Sequence, residues 1–288
     1  MKKQLLLPLA AAAGGAAALV LRLLQNRTGF EPGTGLPIPG NVPGLALAVL
    51  LVVLVLALVA LSFLVPKETE EGPFFPRDFR STQAGLVALP VAGIFLIALA
   101  GVLDIAAGAA LLGPAGEAAG DVAVLTGAGF AVTPRSRVIM GVLALLSAVG
   151  LLPHAVSCRL RPGVRPKISV PALLLIPPVC MVIRLVLTYR VDSVDPSLAS
   201  YYVEVLALTF LTLALYHLSS FAFHAAKTRR FSFYAGFAMV ASLASMGDAE
   251  GVSALLFYGG AAVTLLGFLL LWLTEGRSVS GIVERSGE

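Results

Sequence analysis

Eight apolar runs, each close to twenty residues long, constrain this chain more than any other feature. At 1.5 Å of rise per residue, about 20 residues of helix cross the ~30 Å hydrocarbon layer of a bilayer. In lipid every backbone N–H and C=O needs an internal partner, so spanning segments are helices or closed barrels. A barrel would show segments of about ten residues with alternating hydrophobicity, and none is visible here. The expected fold class is therefore all-α, a polytopic transmembrane helix bundle of about eight spans in one membrane domain. The spans fall at about 5–24, 43–65, 84–112, 136–158, 168–190, 198–223, 231–248 and 253–273.

Composition excludes the other classes. Only 12% of the 288 residues are charged and 58% are hydrophobic, whereas soluble domains carry about 25% charged residues. The mean hydropathy is +0.94. The 29 glycines follow no G-X-Y period. Lys2 and Lys3 precede the first span as they would a signal peptide, but that run exceeds the ~7–15 residues of a signal core, so an uncleaved anchor is expected. The seventh run, "FSFYAGFAMVASLASMGD", is the shortest and is rich in small residues.

The lysines and arginines orient the bundle, because cytoplasmic loops carry the excess of these residues. Placing both termini in the cytoplasm puts Lys67, Arg77, Arg80, Arg159, Arg161, Arg165, Lys167, Lys227, Arg229 and Arg230 inside. Arg27, Arg135, Arg137 and Arg190 then lie outside, with Arg22 at the outer rim of the first span. An inner (plasma) membrane location is expected. The basic loops 159–167 and 227–230 are read as topology signals that also attract anionic lipid, at about 1 kcal/mol per charge near the surface. A cytosolic or membrane protein docking on those loops is the alternative. The outer loop 113–134 is too apolar for a simple solvated link, and an interfacial or re-entrant segment is expected there.

Arg184 interrupts the fifth span in "CMVIRLVLTYR". It sits six residues below Arg190, or about 9 Å of helix. Glu204, on the next span, reaches almost the same depth, and a buried charge without a partner is costly. Arg184 and Glu204 are accordingly expected to pair, with Asp104 of the third span in the same outer half and Tyr189, Tyr201 and Tyr202 just above. These six residues are the candidate ligand site, for a small polar or ionic solute. The competing reading is a structural ion pair that locks the two helices together. Pro171, Pro177 and Pro178 are expected to kink or unwind the fifth span below Arg184.

Other chemistry finds little support. His217 and His224 are seven apart, hence on one helix face, but no carboxylate of the spans matches their depth. "LPHAVS" and "LYHLSS" share an L-x-H-x-x-S pattern that either chance or two related hairpins would give. Cys158 and Cys180 lack a CxxC partner and read as packing residues. The chain has no GxxxxGK[ST], HExxH or GxSxG motif, and Gly127 and Gly129 lack the third glycine of a dinucleotide loop. No catalytic residue, cofactor, metal site or nucleic-acid partner is expected, and an enzyme is the less favoured reading. The leading expectation is small-solute transport, or the membrane subunit of a transporter. A non-catalytic sensor, regulator or assembly partner is the alternative.

Overall fold

The protein is described by a computed structural model covering residues 4–31, 36–65, 75–112, 134–159, 170–192, 198–249 and 251–275. The loop at 113–133 and three of the basic-loop residues, Arg161, Arg165 and Lys167, lie outside the described residues.

All the described elements with regular structure are helical. They are α1 (Leu6–Thr28), α2 (Val42–Ser62), the short α3 (Phe75–Asp78), α4 (Ala84–Leu112), α5 (Pro134–Ser157), α6 (Ile176–Asp192), α7 (Leu198–Ser220), α8 (Thr228–Ser245) and α9 (Val252–Glu275). Tight 3-10 turns precede α6 at Pro171–Leu175 and follow α7 and α8 at Phe221–Phe223 and Met246–Asp248. Seven of these helices are long and apolar enough to cross a membrane, and the chain is a multi-pass helical membrane protein.

The expected proline disruption is confined to one end of the fifth span. Pro171 opens the 3-10 turn, while Pro177 and Pro178 occupy the first turn of α6. A first-turn N–H has no intrahelical acceptor to lose, so proline costs little there. The helix through Arg184 is regular.

Packing closes six helices into a ring. α4 lies between α5 and α9, α6 joins α5 to α7, and α8 joins α7 back to α9. The α4 contacts depend on glycine at facing positions. A Cβ on Gly93 would come within 2.6 Å of the Gly260 carbonyl oxygen, and one on Gly101 within 2.7 Å of that of Gly141. Small residues at such crossings let helix backbones approach, which is how helices gain packing energy when lipid surrounds them.

α1 and α2 lie outside the ring against α8. On α2 the buried residues Leu47, Leu51, Leu54 and Leu58 repeat at three- and four-residue intervals, the signature of one buried helix face. Its remaining surface is exposed valine and leucine, including Val42, Leu45, Val49, Val52 and Leu56, the side that meets hydrocarbon.

α8 inverts that pattern. It is the eighth spanning segment but falls short of the apolarity of the other seven. It touches α1, α2, α7 and α9, and Phe231, Ser232, Ala235, Ala238, Ala241, Ser242 and Ser245 are all buried. A helix wrapped by protein on all sides needs small residues more than hydropathy, which explains the weakness of its sequence signal.

The two ends of the ring differ in chemistry. One is filled by aromatic rings: Phe79 stacks with Phe75 at 4.8 Å and meets Phe221, Phe231, Phe268 and Trp272 at 5.0–6.1 Å between centroids. The α3 segment that supplies Phe75 and Phe79 is tied down by the Ser81 N–H, which donates to the Cys158 carbonyl at 3.0 Å. Burial pushes the Cys158 thiol up to about 12, against the opposing charge of Arg80. The opposite end carries the charged residues.

Candidate functional site

Charged side chains gather where α1, α4, α6 and α8 end and α5, α7 and α9 begin. Asp104 is buried on α4 and meets Arg137 of α5, with Nε 3.6 Å from Oδ1. Arg22 of α1 is only 1% exposed; its Nε donates to Asp248 Oδ1 at 2.6 Å and its Nη1 to Gln25 Oε1 at 2.8 Å. Asn26 Nδ2 donates to the Gly247 carbonyl and to Asp248 Oδ1, so its amide is part of this network. The ring of Tyr202 completes the group, with the Arg22 guanidinium carbon 5.3 Å from its centroid.

Arg184 and Glu204 do not pair as expected. Each turns instead to α9, on the far side of the ring. The Arg184 guanidinium carbon lies 3.7 Å from the ring centroid of Phe257. Glu204 accepts a 2.6 Å hydrogen bond from the hydroxyl of Tyr258, the next residue. Matched depth on neighbouring helices is therefore insufficient, because the rotation of each helix about its axis decides what a side chain meets.

Arg184 differs from the other charges of this end in its lack of partners. It is 4% exposed, and its Nε and Nη1 have no hydrogen-bond partner among the described residues. Stacking on an aromatic face supplies about 2 kcal/mol or more to a desolvated cation. A buried charge that has lost its counter-ion is worse off by about 3–5 kcal/mol, so the stacking does not offset the deficit.

One turn along α6 from Arg184, Met181 lines an apolar cavity inside the ring. The walls come from five helices: Ile97 of α4, Leu151 of α5, Met181 of α6, Leu211 and Leu215 of α7, and Phe257 with Ala261 of α9. It has room for roughly one water-sized group. Two hydroxyls reach it, but each is already donated to its own helix. Ser147 Oγ bonds the Leu143 carbonyl at 2.8 Å and Thr264 Oγ1 the Gly260 carbonyl at 2.7 Å. Phe257 is common to both features, one face under Arg184 and the ring also in the cavity wall.

The remaining candidates are dispersed. Tyr189 is 55% exposed and projects from the bundle. Tyr201 is half-buried at the start of α7, while Tyr202 serves Arg22. Of the basic-loop residues, Arg229 is committed to the end of α2, donating to the carbonyls of Val65 and Phe63 at 3.0 and 3.4 Å. Lys227, Arg230 and Arg159 are exposed or half-buried at the aromatic end. His217 stacks on Tyr234 at 4.9 Å, and His224 lies beyond the helix with a left-handed backbone (φ 56°), so the two histidines do not share a helix face.

The Arg22–Asp248 pair and the Phe257–Tyr258 step are the features that sequence reasoning missed. The depth comparison applied to Arg184 would have matched Arg22, the lone charge within "ALVLRLLQ", to Asp248 at the same end of the bundle. Phe257 and Tyr258 carry no charge signal at all. No family model matches this chain, and no curated protein or solved structure matches it.

Proposed function

We propose that the protein passes a small anionic solute along the axis of its six-helix ring, with Arg184 as the receiving group. The observation that carries this reading is a guanidinium 96% buried, stacked on Phe257, with Nε and Nη1 unpartnered among the described residues. Ionisable residues kept inside a membrane bundle mark solute pathways, because their cost is otherwise unrewarded. An anion at Arg184 supplies the charge that the protein withholds. The aromatic end, packed around Phe79, then closes the path on the other side. With the termini in the cytoplasm of an inner membrane, Arg184 faces the outer half.

The test is purified protein reconstituted in liposomes and assayed for anion uptake. Arg184→Gln abolishes uptake and binding, and Arg184→Lys, which keeps the charge without the planar fork, retains a part. A folded Arg184→Gln protein that still takes up or binds the anion overturns the reading. The alternative, a sensor or assembly partner working through the exposed Lys227 and Arg230, predicts the reverse: neutralising those two residues loses a crosslinked partner while Arg184→Gln leaves it in place.

A further inference from the structure

We infer that the solute is a monocarboxylate of two or three carbons, its carboxylate on Arg184 and its apolar tail in the cavity beside Phe257. This rests on the reading of Arg184 as an anion site and adds the chemical class of the ligand.

Charge comes first. Arg184 is the buried cation with unpartnered nitrogens at this end, whereas Arg22 is bound to Asp248 and Arg137 faces Asp104. Glu204 already holds a carboxylate on Tyr258, the residue that follows Phe257 in the chain. A single unbalanced cation with an acid nearby favours one negative charge over two. A planar carboxylate also suits a planar guanidinium, which offers paired N–H donors in a fixed fork.

The cavity sets the rest of the molecule. Its walls include Ile97, Met181, Leu211, Phe257 and Ala261, and the hydroxyls of Ser147 and Thr264 have spent their protons on their own helices. A polar tail would find no donor there, and an apolar space of this size stays dry and accepts an apolar group. Room for roughly one water is also room for about one methyl group. Met181 lies three residues before Arg184, a displacement of about 4.5 Å along the helix. One or two carbon–carbon bonds beyond a carboxylate cover that reach, and a longer chain meets the far wall.

The experiment is calorimetric titration of the full-length protein in nanodiscs with acetate, propionate, hexanoate, succinate, alanine and chloride. Propionate or acetate is expected to bind at least tenfold more tightly than hexanoate, succinate, alanine and chloride. Ala261→Val, which fills the cavity without touching a charge, is expected to remove that advantage over chloride. If the anions bind with equal affinity, or if alanine or succinate binds best, the ligand class is overturned while Arg184 stands as an anion site. If no anion binds the wild-type protein, both this inference and the reading beneath it fail. The wild-type panel alone decides between these outcomes should Ala261→Val not fold.

Discussion

The two ends of the helix ring solve the same packing problem with opposite chemistry. At the aromatic end, Phe75, Phe79, Phe221, Phe231, Phe268 and Trp272 fill the axis with rings that ask for nothing but contact. At the charged end, the axis is crossed by Arg184 to Phe257 and by Glu204 to Tyr258, interactions that depend on direction and protonation. A contact-filled end is stable however its surroundings change polarity. A charge-filled end is stable only while its partners are present, and at Arg184 one is lacking. The difference separates a region built to stay shut from one that gains stability when something binds.

Substitution should expose that asymmetry most strongly at the two buried arginines. Arg22→Met strands Asp248 in the bundle and should lower stability by about 3–5 kcal/mol, read by chemical unfolding in detergent. Arg184→Met abandons no partner among the described residues and removes an uncompensated charge, so it should hold or raise the unfolding midpoint. Equal losses at both sites would erase the distinction drawn between them. Phe79→Ala at the opposite end should cost about 3–5 kcal/mol from lost contact and cavity alone, and unlike Arg22→Met its cost should not respond to pH. Tyr258→Phe deletes one hydrogen bond to a carboxylate and should cost about 1.5–3 kcal/mol; a null result would show that Glu204 is sustained by its other contacts. The smallest effect is chemical. Cys158 is buried with its thiol pushed up to about 12, so maleimide should leave it unlabelled in the folded protein and label it after denaturation.

The spans were legible in the sequence because lipid leaves the backbone so few options. The expected segment 84–112 is α4, Ala84–Leu112, and the run at 253–273 lies within α9, Val252–Glu275. Lateral arrangement was less legible. Arg184 and Glu204 sit on consecutive helices at similar depth, yet both address α9, since nothing in spacing along the chain states how each helix is turned about its axis. The histidine reading failed for a related reason: His224 has left the helix that carries His217. The H-x-x-S echo does have a shared local form. Ser157 and Ser220 each donate to the carbonyl of the histidine three residues earlier, at 2.7 Å in both cases. Such back-bonding is a common habit of serine near helix ends and requires no common ancestry.

The modest apolarity of α8 has a consequence for how the protein is made. A segment enters the bilayer according to its own transfer free energy as it leaves the ribosome, and α8 offers less than any other span. Its serines and glycine are satisfied by neighbours from both sides of it in the chain, α1 and α2 before and α9 after. The helix at the centre of the finished bundle is thus the one least able to insert alone, and its insertion waits on α9. Truncation before Val252 should therefore leave α8 on the wrong side of the membrane, while the same cut placed after Glu275 should not.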